Sequence, residues 1–301
     1  LAWEGDDFAI VVLPDTQSYN AAQFATQTQW IADNAASLNI QMVLHEGDVV
    51  NNAYEEQWLA ADAAMDILDA ANIPYLMTTG NHDDDQGESY PNPRSTLEYN
   101  TYFPQSRFTA QSGWVGGFYH EGQSENAYWV KTISNRNYLF LMLEFGPRQG
   151  VLDWADTVIA TYPDHDVVLT THCLVYHDNS LVGSGDSYNP HGYAGVSDDT
   201  HDGDELWSEF IKTHKNIILS FSGHELGDGT GLVSRQNLDN RRSHMMLANY
   251  QAPILQAAES GYLRIVTISP TAGSINITSY SPLLDAYLTS SDQEFSLIYP
   301  A

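Results

Sequence analysis

A chain of 301 residues that carries 39 Asp and Glu against 11 Lys and Arg has a formal net charge of -28, and it holds a single Cys. With 43% hydrophobic and 12% aromatic residues it can bury a sizeable core, so the acidity belongs to a folded surface and not to a disordered chain. Such a surface repels phosphate backbones at long range, which argues against duplex nucleic acid as a partner, and the lone Cys173 excludes an internal disulfide.

In chain order, Phe8 to Leu13 (FAIVVL) is an unbroken apolar, β-branched run closed by Pro14 and reads as a strand buried on both faces. Phe24, Trp30, Ile31, Ala35 and Leu38 give Gln23 to Leu38 a helical spacing, and a short strand follows at Gln41 to Leu44. A helix from about Glu55 to Ala71 ends at Asn72 and Pro74 before a third strand, Tyr75 to Thr79. This alternation implies parallel pairing through right-handed crossovers, with ligands held beyond the carboxyl ends of the strands.

The stretch from about Asp84 to Gly117, with Pro91, Pro93 and Pro104, reads as a long functional loop. Strands at Ala127 to Ile133 and Tyr138 to Phe145, a helix from Val151 to about Tyr162 and a strand at Asp166 to Thr171 come next. A second loop, Asp178 to Asp204, precedes a helix at Glu205 to His214 and a strand at Asn216 to Ser222. From about Ser243 the chain is β-rich (MMLAN, YLRIVTI, INITSY, EFSLIY). Without a repeat or linker, residues 1-301 are expected to form one domain. No apolar run reaches the roughly 18 to 20 residues of a membrane span, and the chain opens at Leu1 with no visible signal peptide. Extreme acidity with few Lys leads to the expectation of an extracellular or periplasmic protein; oligomeric state is not legible.

Polar clusters follow the strands. They are Asp15-Thr16-Gln17, Gly47-Asp48-Val49-Val50-Asn51, Gly80-Asn81-His82-Asp83, His172 and Gly223-His224. Each tip offers side chains able to coordinate a metal, and most add Gly residues that let the backbone approach a ligand. One such Asp would be an ordinary turn or cap residue; their convergence is the signal.

In order and spacing these residues resemble the calcineurin-like metallophosphoesterase superfamily, whose motifs run D-x-H, G-D-x-x-[ND], G-N-H-[DE], H and G-H-x-H. The stretches LPDTQ (13 to 17), EFGPR (144 to 148), GHELGDG (223 to 229) and NYQ (249 to 251) resemble a bacterial secreted branch of it. The resemblance implies a four-layer α/β sandwich of two mixed β-sheets flanked by helices, and hydrolysis of a small-molecule phosphate ester by a hydroxide shared between two divalent ions. Asp48 would bridge the ions, one held with Asp15 and Gln17, the other with Asn81, His172 and His224. His82 matches the leaving-group acid with Asp83 as its orienter, and Asn81 also faces substrate.

Two positions depart from the pattern: Gln17 and Leu226 stand where His is usual. The first ion is left with oxygen donors only, which favours Mg, Mn, Ca or Fe or weak binding, whereas the second, with imidazoles, suits Zn, Mn, Ni or Fe. Asp228 is a weaker candidate to replace the lost donor. Arg148 is expected to fork phosphate oxygens, with an ion pair to a carboxylate as its alternative, and His177 is expected to wall the substrate site from the second loop. His45 is either an orienting residue or a packed one. A monoester carries more charge, and a first ion weakened by Gln17 and Leu226 offers less neutralisation of it, which tilts the expectation mildly to diesters. Two other readings compete, a metal-binding or glycan-associated protein with weakened catalysis and an extracellular nuclease; the intact Asn81-His82-Asp83 speaks against the first.

Overall fold

The computed structural model describes residues 5-85, 94-193, 196, 199-251 and 260-300. The first sheet contains β1 (Phe8–Leu13), β2 (Ile40–His45) and β3 (Tyr75–Met77), all parallel, linked by α1 (Ala21–Asn34) and α2 (Glu55–Ala70). A capping box between Asn20 and Gln23 starts α1 two residues before the point expected from apolar spacing, because the polar cap carries no hydrophobic signal.

The stretch expected as one long loop is partly regular. It forms α3 (Leu97–Tyr102), α4 (Gln105–Thr109) and β4 (Gly116–Phe118). Asp85 accepts from the backbone N–H of Leu97 and Glu98 at the start of α3, and Tyr99 and Phe103 pack on the buried Trp58. Residues 86-93, with Tyr90, lie outside the described residues.

The second sheet gathers β5 (Ala127–Ile133), β6 (Arg136–Leu143), β7 (Asp166–Thr171) and β8 (Ile217–Ser222), with α5 (Gln149–Thr161) crossing over. The helix expected over 205-214 is broken into Gly203–Glu205, a π turn at Leu206–Phe210 and a 3-10 turn at Ile211–Thr213. Beyond β8 come β9 (Thr230–Gln236), which the sequence reading passed over, and β10 (Arg242–Ala248). Then β11 (Leu263–Ser269), β12 (Ser274–Ser281), β13 (Ala286–Leu288) and β14 (Phe295–Ile298) return to the first sheet.

Among the described residues each sheet is seven-stranded and mixed: β13-β12-β11-β1-β2-β3 with β14 also on β12, and β4-β5-β6-β7-β8-β10-β9. Alternation along β6 shows how they stack. Tyr138, Phe140 and Met142 enter the core shared with β1 and β2, while Leu139, Leu141 and Leu143 pack outward with Val151, Leu152 and Ala155 of α5. Leu141 is fully buried, so Leu141→Ala would cost about 2–5 kcal/mol by emptying that outer layer. The result is the expected sandwich, with the carboxyl ends of β1, β2, β3, β7, β8 and β10 opening on one edge. Among the described residues no helix is long and apolar enough to cross a membrane.

Candidate metal centre

The strand tips converge. Asp48, in the left-handed region at φ 50, is buried after β2, and a Cβ on Gly80 would strike its carboxylate, so the β3 tip must be glycine there. Gly223 plays the same part for Asp15, whose carboxylate a Cβ would also strike. Coordinating atoms of Asp48, His172 and His224 lie within 4.8 Å of one another, all three residues being buried.

Each imidazole is held in a defined tautomer. The Nδ1 of His172 lies 2.8 Å from the Glu46 carbonyl oxygen, and the Nε2 of His224 lies 2.8 Å from the Tyr188 carbonyl oxygen. A carbonyl only accepts, so both of those nitrogens carry a proton, and the neutral form of each ring has its lone pair at His172 Nε2 and at His224 Nδ1. His172 Nε2 is buried with no hydrogen-bond partner and stands 3.2 Å from Asp48 Oδ2. Asn81 Oδ1 and Gln17 Oε1 are likewise buried without partners. Orphaned lone pairs beside buried carboxylates are what a divalent cation satisfies, so these residues fit the ions that the family pattern implies.

Electrostatics agree with that fit. Burial disfavours a charged His172, yet the carboxylates of Asp48 and Asp15 outweigh it and raise the imidazole to about 10. Burial likewise opposes ionisation of Asp48, but His172 overrides it and lowers the group to about 2. His224 is lowered to about 3, first by burial and then by His172. Asp15 rises to about 7, chiefly through burial. A single proton on His172 thus does part of what a cation would do between the carboxylates.

The other tip residues separate into groups. The backbone N–H of His82 donates to Asp48 Oδ1 at 2.9 Å, and its Nδ1 donates to the Asn51 carbonyl at 2.7 Å. Asp83 does not orient that ring. Its carboxylate turns back to accept from Gly80 N–H (2.8 Å) and Val50 N–H (3.0 Å), closing the turn that carries Asn81 and His82, and burial, then Asp48, raises it to about 7. His45 is an orienting residue: its Nε2 donates to Thr16 Oγ1 at 3.0 Å, that hydroxyl donates to Val49 O, and its Nδ1 accepts from Gly47 N–H. Asp228 accepts from Thr230 in a local turn.

Arg148 is taken up by Glu144, with Nε to Oε1 at 2.6 Å and Nη2 to Oε2 at 2.7 Å, so the ion pair displaces the expected phosphate contact. Arg94 also reaches Glu144 and donates to the carbonyls of Phe145, Gly146 and Val196. His177 packs at a tilt against Tyr176 and sits under Gly227, where a Cβ would strike its ring, and it is not among the residues that line the recess.

The recess, about 150 Å³, is lined by Gln17, Asp48, Asn81, His82 and His224 at its floor and by Tyr188, Tyr193, Leu226 and Gln251 at its wall. A larger one of about 240 Å³ lies beside Arg107, whose guanidinium is held by Asp62, Asp66 and Asp69. Sequence reasoning did not give Asn249 and Gln251 a role, although NYQ follows a strand as the other clusters do. Asn249 Nδ2 (2.9 Å) and Gln251 Nε2 (3.1 Å) both donate to Asp15 Oδ2. The trio His191, Asp202 and Glu205, also within reach of one ion, is accounted for by the capping box of Asp202 and Glu205.

Comparison with known proteins bears on the fold and the family. The chain is 27% identical over 288 residues to the uncharacterized protein YvnB of Bacillus subtilis strain 168, an alignment covering 92% of this chain and 20% of YvnB, so the chain spans about a fifth of that relative. In fold it is similar to the purple acid phosphatase PPD1 of yellow lupin seeds (TM-score 0.57, 13% identity, 98% of this chain and 54% of that one). It is equally similar to a dimetal phosphatase from Danio rerio (TM-score 0.57, 11% identity, 97% and 99%). The profile of the calcineurin-like phosphoesterases matches residues 8–228, and the chain belongs to that family.

Proposed function

We propose that the protein is a two-cation phosphoester hydrolase that prefers diesters. The observation that carries the reading is the pairing of His172 and His224 with backbone carbonyls, which turns a lone pair of each ring free beside buried Asp48. Asp48 would stand between the ions, with Asn81, His172 and His224 on one side and Asp15 and Gln17 on the other. Bound cations supply Lewis acidity toward phosphoryl oxygen and lower the pKa of a water.

The chain's own groups do the rest. The Asn51 carbonyl fixes His82 through Nδ1–H, so that in its imidazolium form the Nε2–H would hand its proton to the departing alkoxide and leave the ring neutral. Gly80 and Gly223 keep the carboxylates close, and Tyr188, Tyr193 and Leu226 give the wall an apolar face against which an ester group can exclude water. Among the described residues no Lys or Arg lines the recess, and Arg94 and Arg148 are engaged by Glu144. With no cationic side chain to help, a singly charged diester suits the site better than a doubly charged monoester.

Comparing hydrolysis of p-nitrophenyl phosphate with its bis ester, with Mn, Zn, Mg and Ca each added, tests this. The bis ester should turn over faster. A monoester preference would overturn the diester assignment, and absence of hydrolysis with every metal would overturn the enzyme reading in favour of a metal-binding protein.

A further inference from the structure

We propose that Gln251 is a positioning residue for the oxygen side of the centre, fixing Gln17 and Asp15 together so that their oxygens face a hard divalent cation; this rests on the two-cation reading above. Gln251 lies just past β10, beside Gln17 in the recess although distant from it in sequence. Its Nε2 is 3.1 Å from Asp15 Oδ2. An ionised carboxylate only accepts, so the amide nitrogen of Gln251 must be the atom that faces it. That choice turns Gln251 Oε1 to the other partners, where it accepts from Gln17 Nε2 at 2.9 Å and from Ser18 Oγ at 3.1 Å.

The orientation then propagates. Because Gln251 offers Gln17 an acceptor, Gln17 must present its nitrogen, and its own Oε1 is forced to the opposite side. There it is buried and has no hydrogen-bond partner. Asp15 therefore sets Gln251, and Gln251 sets Gln17, in one relay of amide orientations. Asn249, which also donates to Asp15 Oδ2 and accepts from Gln251 N–H at 3.1 Å, braces the same tip. Leu226 lines this part of the wall and has no donor atom to contribute. Two neutral amides thus organise a carboxylate and a carbonyl for a cation that takes oxygen donors, and they add no charge of their own.

The test is titration of metal-free protein with Mn(II) alone, followed by calorimetry and by electron paramagnetic resonance, which distinguishes isolated from paired ions. The parent should bind two ions of unequal affinity. Gln251→Leu, comparable in volume but unable to donate or accept, should weaken the second ion by about 10- to 100-fold and leave the tighter one unchanged. Gln17→Leu should act on the same ion, and the double variant should lose less than the product of the single losses, because both act through one relay. If Gln251→Leu does not fold, Gln251→Met serves in its place. Parental affinity for both ions in the folded variant, or equal weakening of both, would overturn the proposal while leaving the two-cation reading intact. A single ion in the parent would overturn both.

Discussion

The two sides of the recess hold their ligands by different means. On the imidazole side, His172 and His224 are buried and each is steered by a backbone carbonyl, from Glu46 and Tyr188, so the orientation is built into the main chain. On the amide side, Gln17 is steered by the side chain of Gln251, and Asp15 by the side chains of Asn249 and Gln251 together with the backbone N–H of His224. Main-chain carbonyls move only with the backbone that carries them, whereas an amide side chain can turn. On the two-cation reading proposed above, the contrast teaches that a Gln or Leu in place of a coordinating His need not abolish a site, because a neighbouring amide network would take over the task of orientation.

Changes at Asp48 should break both sides at once. Asp48→Asn is expected to lower kcat about 10⁴-fold, about 5 kcal/mol, with both Mn(II) ions weakened; a loss confined to one ion would show that the sides do not share this carboxylate. His82→Ala should lose about 10²-fold on alkyl esters and much less on p-nitrophenyl esters, whose leaving group needs no proton, with metal content unchanged. Equal losses on both substrates would remove the acid role.

A mild chelator should separate the sides, taking the amide-side ion first and leaving one equivalent by elemental analysis. The pH dependence of stability separates them in another way. His172 is raised from an ordinary 6.5 to about 10 in the folded, metal-free protein, so its contribution is fully present below about 6.5 and is lost as pH climbs toward 10. Thermal melts of metal-free protein should fall over that window. Loaded with Zn(II), which replaces the proton between the carboxylates, the protein should lose less, and metal uptake should release a proton. The smallest effect is expected outside the recess: Arg148→Ala should cost about 1 kcal/mol in stability and leave KM unchanged, since Arg94 still holds Glu144. A raised KM would return Arg148 to the substrate.

The clusters after β1, β2, β3, β7 and β8 were legible because ligand chemistry needs particular residue types at strand ends, and strands announce themselves by apolar runs. Asp83 was misread because adjacency to His82 suggested contact, whereas a tight turn sends neighbouring side chains apart and folds this carboxylate onto Gly80 N–H. Arg148 carried a usable signal in Glu144, four residues earlier, but a residue that pairs locally and one that binds substrate look alike in sequence. The role of Gln251 was hidden for a different reason. An amide's orientation depends on what faces it, and its partners Asp15 and Gln17 are brought near only when the two sheets close. The short helices at 97-109 were hidden behind Pro and Asn, which mark turns as readily as helix starts.

Tyr188 has a consequence beyond the wall it lends to the recess. It sits in the left-handed region at φ 62, a conformation that costs a bulky residue about 1–3 kcal/mol, and its carbonyl is the partner of His224 Nε2. The residue is 53% exposed, so the energy that holds this backbone comes from the hydrogen bond and its neighbours more than from burial of the side chain. The rim segment and the floor of the centre therefore share one equilibrium. Any ligand that pins the imidazole also pays for the strained rim, and relaxation of the rim loosens the imidazole in return, so in thermodynamic terms the loop around Tyr188 behaves as a tethered ligand of the centre it borders.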